Sequence, residues 1–92
     1  MLYGIHTNLG WARLQQERYT EAQDALKRAI QLFGDRASAY CLLAQTQEGL
    51  KQADAALKTW EHCLQFANQK DPDEDLWIGM ALKRLQTKEA TP

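Results

Sequence analysis

The stretch EAQDALKRAIQL at residues 21–32 returns at residues 55–66 as AALKTWEHCLQF, with the letters changed and the sizes kept. Ala22 falls on Ala56, Leu26 on Trp60, Ala29 on Cys63, and Ile30, Gln31 and Leu32 on Leu64, Gln65 and Phe66. The same shift lays Leu9 and Gly10 on Leu43 and Ala44. Small residues match small ones and bulky residues match bulky ones. Two helices approach closely only where a small residue lets a neighbouring side chain nest, so a packed helical pair repeats its small positions. A 34-residue helix–turn–helix period is the mark of a helical solenoid.

The surrounding sequence is helical throughout. Ala, Leu, Gln, Glu, Lys and Arg dominate, with two Pro and five Gly, and no stretch alternates apolar and polar residues as a half-buried strand does. Polar or Gly-bearing breaks at residues 16–18, 33–36, 49–52 and 69–72 divide the chain into five segments of ordinary helix length. Thr20, Glu21 and Gln23 suggest a capping-box start for the second segment. Gly34 suits a left-handed stop to it. Asp71 is placed to cap the fifth segment, with Pro72 in its first turn and Asp73, Glu74 and Asp75 at the positive end of the helix dipole. The expected fold is therefore all-α: two helical hairpins at residues 3–36 and 37–70, a capping helix at 71–86, and a flexible tail at 87–92. The capping helix keeps the register, because Trp77 and Ile78 lie one further repeat beyond Leu43 and Ala44. Ala81, Leu82 and Leu85 extend its apolar stripe.

At these positions the sequence resembles the tetratricopeptide repeat family. The first copy supplies His6, Leu9, Gly10, Ala22, Leu26 and Ala29, and the second supplies Tyr40, Leu43, Ala44, Ala56, Trp60 and Cys63. Arg13 and Gln47 stand where the family places an aromatic, and Gly34 and Asn68 where it places Pro. The resemblance implies a protein–protein interaction module, a scaffold or adaptor, that binds a peptide or helix in a concave groove lined by the first helix of each hairpin. On this chain the groove residues are Thr7, Asn8, Trp11 and Gln15 from the first hairpin, and Ser38, Cys41, Leu42, Gln45 and Glu48 from the second. Leu76 and Gly79 of the capping helix extend it. One branch of the family clamps a C-terminal carboxylate, but Thr7 and Trp11 stand where that branch has Lys and Asn. The groove is expected to prefer an apolar or amide-rich segment; Trp11 is either its anchor or a residue packed against a neighbouring helix.

Composition bounds the other function classes. Eleven basic and twelve acidic residues leave a net charge of −1, which fits neither a nucleic-acid face nor a polybasic membrane helix. No apolar run is long enough to span a bilayer. Residues 1–10 carry no Lys or Arg, so a cytoplasmic location is the expectation. Cys41 and Cys63, both inside helical stretches, are read first as buried free thiols, with a disulfide or a reactive thiol as alternatives. His62 and Cys63 are adjacent and point about 100° apart on a helix, which does not suit one metal. No nucleophile elbow, metalloprotease motif or phosphate loop occurs. The chain is expected to be no enzyme and to need no cofactor or metal. The alternative to partner binding is a terminal structural segment of a longer repeat protein, capping it or self-associating as a homodimer through Leu2, Ile5 and Leu14.

Overall fold

A computed structural model describes the backbone of residues 2–34 and 36–90 and the side chains of residues 4–34 and 36–86. Five α-helices follow in order among these residues: α1 (Leu2–Gln15), α2 (Tyr19–Leu32), α3 (Ala37–Gly49), α4 (Ala53–Phe66) and α5 (Pro72–Ala90). Each helix packs on the next, and α1 also touches α3, as α3 touches α5. Among the described residues α2 and α4 do not meet. The layer α1, α3, α5 is thus the tighter one, and the stack curves toward it. This inner layer is the concave side of an all-α repeat solenoid. Helix α5 runs to Ala90, so the expected tail is helical at 87–90, and residues 91–92 lie outside the described part.

The repeat register reappears in the backbone itself. Glu17 has φ 60° and Lys51 has φ 62°; they sit one repeat apart, at the turn inside each hairpin. The amide of Arg18 bonds back to the carbonyl of Arg13 at 2.8 Å, as Gln52 does to Gln47 at 2.8 Å. That six-to-one bond over a left-handed residue closes both first helices as Schellman motifs. The expected left-handed Gly34 is not found, since no glycine among the described residues has positive φ. Instead α2 ends at an extended Phe33, and the Gly34 carbonyl accepts the Tyr40 hydroxyl at 2.6 Å. The capping box at Thr20 is likewise absent: the N-cap lies two residues earlier, at Arg18, with no side-chain cap. Glu21 is drawn off to Arg13 at 3.0 Å and Arg18 at 3.6 Å. Asp71 does cap α5, its Oδ1 accepting the Asp73 and Glu74 amides at 2.9 and 3.2 Å.

The core holds the repeat positions. Ala22, Leu26, Ala29, Ala44, Trp60 and Cys63 are fully buried. Gly10 is there for want of room: a Cβ built on it would lie 2.5 Å from Leu26 Cγ. Gly49 similarly yields space to the Tyr19 ring. The departures from the family pattern are absorbed by polar pairing. Gln47 is buried where an aromatic is usual, and its Oε1 accepts the Thr59 hydroxyl at 2.6 Å. Arg13 is held by Glu21, and its Nη1 donates to Gln16 Oε1 at 2.9 Å.

One expectation fails outright. Cys41 and Cys63 are not free thiols but a disulfide, with a Cα–Cα separation of 4.8 Å. Both are fully buried, one on α3 and one on α4. The two helices of the second hairpin are antiparallel, so these two positions face each other at the same height. The bond staples the second hairpin, where the first copy has packing and the Arg13–Glu21 ion pair. In the capping helix Trp77 and Ala81 are buried as expected, whereas Leu82 is 53% exposed.

Candidate functional site

The concave layer brings together most of the residues expected to form the groove, but not all of them on its surface. Asn8 and Gln15 are exposed, and Trp11, Ser38, Gln45 and Glu48 are half-buried. Leu42 is only 1% exposed and is a core residue. A helix that packs on α1, α2, α4 and α5 at once has little free surface, and Leu42 falls on a packed side. Cys41 is taken by the disulfide. Leu76 and Gly79 are exposed on α5.

Trp11 does not stand alone on the groove floor. Its ring meets Trp77 of α5 edge-to-face, with centroids 5.6 Å apart and planes at 64°. Such pairs contribute about 0.5–1.5 kcal/mol beyond the area they bury. The contact spans the concave side from the first helix to the last, so Trp11 both closes the inner layer and keeps part of its indole open. Glu48 is similarly committed. Its Oε2 accepts Trp60 Nε1–H at 3.1 Å and Arg84 Nε–H at 2.7 Å. One carboxylate therefore ties α3 to α4 and α5, and its role is to lock the cap onto the second hairpin.

Two polar atoms of this face are left without partners. Thr7 Oγ1 and Gln45 Nε2 are buried and make no hydrogen bond, the two such side-chain atoms found among the described residues. An orphaned buried polar group costs about 1–3 kcal/mol, a cost the fold carries at both places. Thr7 lines a cleft of about 250 Å³ between α1, the start of α3 and the start of α5. Gly4, Asn8, Trp11, Ser38 and Trp77 share its wall with Asp71, Asp73 and Glu74. The acidic first turn of α5, read in the sequence only as capping, thus forms one side of this cleft. The repeat register holds the signal: a third first-helix set beside α3 presents its N-terminus next to residues 7 and 38.

Two stacked helical hairpins in 34-residue register, with an inner first-helix layer and a closing helix, define a helical-repeat solenoid. The pattern of the family described as tetratricopeptide repeat matches residues 3–36 and again residues 37–70, and the chain belongs to that family. Its repeats are generally protein–protein interaction modules and typically non-catalytic. No curated protein and no solved structure matches the chain. Among the described residues no group of His, Cys, Asp and Glu is arranged to hold a metal ion, and no helix is long and apolar enough to cross a membrane.

Proposed function

We propose that the concave face of α1 and α3 binds a short segment of a partner protein, extended or helical, and that the chain acts as a non-catalytic scaffold or adaptor. The observation that carries this reading is the pair of orphaned atoms, Thr7 Oγ1 and Gln45 Nε2. Both belong to the inner layer, beneath the surface where a peptide would lie, and a turn of either side chain would bring its unpaired atom to that peptide's backbone. Asn8 and Gln15 add exposed amides, so the ligand surface that matches is polar and amide-rich along most of the groove. The test is a peptide selected from a random displayed library on the immobilised full chain. Its affinity should fall at least tenfold for Asn8→Ala/Gln45→Ala, with the circular-dichroism spectrum of the protein unchanged. Equal affinity for the two proteins would refute the groove.

A second reading is self-association. Ile5 and Leu9 of α1 are 58% and 42% exposed, and Leu76 and Leu82 of α5 are 63% and 53% exposed. Leu2 lies outside the described side chains, and Leu14 is half-buried against the core. The exposed pairs sit at opposite ends of the stack, an arrangement that joins copies head to tail rather than about a two-fold axis. Sedimentation velocity decides it, because a monomer at the highest soluble concentration rules this reading out. Location is read against the disulfide. Cytosolic reductants keep thiols reduced, so the Cys41–Cys63 bond favours an oxidising compartment over the expected cytoplasm.

A further inference from the structure

We infer that the cleft at the α5 end of the groove receives a cationic side chain, arginine in preference to lysine, from the bound partner segment. The inference rests on the groove reading above and adds the chemistry of one subsite.

The charge of the cleft points one way. Asp71, Asp73 and Glu74 line it, and among the described residues no Lys, Arg or His does. The start of α5 contributes roughly +0.5 of a charge from its dipole, far short of balancing three carboxylates. Those carboxylates are also only partly engaged. Asp71 Oδ1 caps the helix, and Glu74 Oε1 accepts the Asn68 amide at 2.9 Å. Among the described residues none of the three forms an ion pair. A metal ion does not resolve this charge, since the three carboxylates do not converge as ligands.

The walls narrow the class further. Thr7 is 6% exposed, lines the cleft, and leaves its hydroxyl oxygen without a partner. A turn of the Thr7 side chain toward the cleft would let a nitrogen-borne donor there supply that hydrogen bond. Trp11, kept upright by Trp77, offers an indole to the same space, and cations settle over indole in preference to other rings. The cleft volume of about 250 Å³ accommodates the head and outer methylenes of one long side chain. A planar guanidinium stacks on an indole and donates to carboxylates in a fork, which a compact ammonium does not. That is the basis for the order arginine, then lysine.

The probe is N-acetyl-arginine N-methylamide, titrated into the isotope-labelled full chain at low salt. Its lysine analogue and its neutral citrulline analogue run in parallel. The Trp11 and Trp77 indole N–H resonances and the Asp73 and Glu74 amides should move with the arginine compound, less with lysine, and not with citrulline. Asp73→Asn/Glu74→Gln removes two charges and keeps both shape and the Glu74 acceptor. It should weaken arginine binding at least tenfold while the spectrum elsewhere stays that of the wild type. Citrulline shifting the same resonances equally, or the neutral variant binding arginine as well as the wild type, would overturn the inference. The displayed library separates this claim from the groove itself. Selected peptides that lack basic residues, and that lose affinity with Asn8→Ala/Gln45→Ala, sink the cationic subsite and leave the groove standing. Arginine bound at the cleft with no groove-dependent peptide keeps the subsite and sinks the groove.

Discussion

Gly10→Ala should destabilise the protein by about 2 kcal/mol, overpacking outweighing the gain that alanine normally brings inside a helix. The added Cβ would meet Leu26 Cγ at 2.5 Å, Cδ2 at 2.6 Å and Cδ1 at 3.3 Å. Carbon atoms in contact prefer about 3.5–4.0 Å, so roughly 1 Å must open between α1 and α2. The nearest atom is the branch carbon of Leu26, so turning the two terminal methyls does not relieve the clash. Leu26 is fully buried with no space to retreat. Overpacking of this kind costs about 1–3 kcal/mol, and a methyl driven against a branch carbon belongs near the top of that range. The helix-propensity gain of about 0.8–1 kcal/mol offsets part of it. Urea unfolding followed by circular dichroism reads the difference as a lower midpoint at unchanged slope. Two further proteins make the reasoning strict. Gly4→Ala lies in the same helix with nothing within 4 Å of the added atom, and should stabilise by up to about 1 kcal/mol. In a Leu26→Ala background the clash is gone, so Gly10→Ala should there become stabilising. A Gly10→Ala protein more stable than the wild type, or one unaffected by the Leu26 background, would refute this account of hairpin packing.

Other expectations follow from the same contacts. Reducing the disulfide, or replacing both Cys41 and Cys63 by Ala, should lower stability by about 3 kcal/mol, the chain-entropy value for a closed loop of this length; equal urea midpoints with and without reductant would contradict it. Glu17→Gly and Lys51→Gly should each stabilise by about 0.5–1 kcal/mol, because a left-handed residue with a side chain is costly. Their effects on the thermal midpoint should add, since the turns lie in different hairpins. Glu48→Ala should cost about 1–2 kcal/mol by stranding Trp60 Nε1–H and releasing Arg84. Amide exchange should then quicken in α5 while α1 and α2 keep their protection. Uniform quickening across all five helices would show that Glu48 does not act on the cap.

How much of the fold is legible in the letters depends on distance along the chain. The repeat is plain because size matching at Ala22/Ala56 and Leu26/Trp60 is a local property of one helix face. The five helices and the Asp71 cap follow from short-range chemistry. The start of α2 escapes a local reading because Gln23, which would close the box, donates instead to Gln52 Oε1 in the next hairpin at 3.2 Å. The disulfide escapes it because the spacing of Cys41 and Cys63 has meaning only once α3 and α4 are laid antiparallel. Leu42 looks like groove and is core for a related reason: α3 packs against all four other helices. The Trp11–Trp77 contact joins the two ends of the stack. It follows from setting three first-helices in one layer, and with it comes the acidic wall of the cleft.

The central claim is that the inner layer, not the outer one, holds the partner. Amide shift mapping of the isotope-labelled chain with the tightest peptide from the displayed library tests it most directly. The largest shifts are predicted to fall on Asn8, Trp11, Gln15, Ser38 and Gln45, along α1 and α3. Largest shifts on the outer helices, at exposed residues such as Lys27 of α2 and Lys58 of α4, would contradict it.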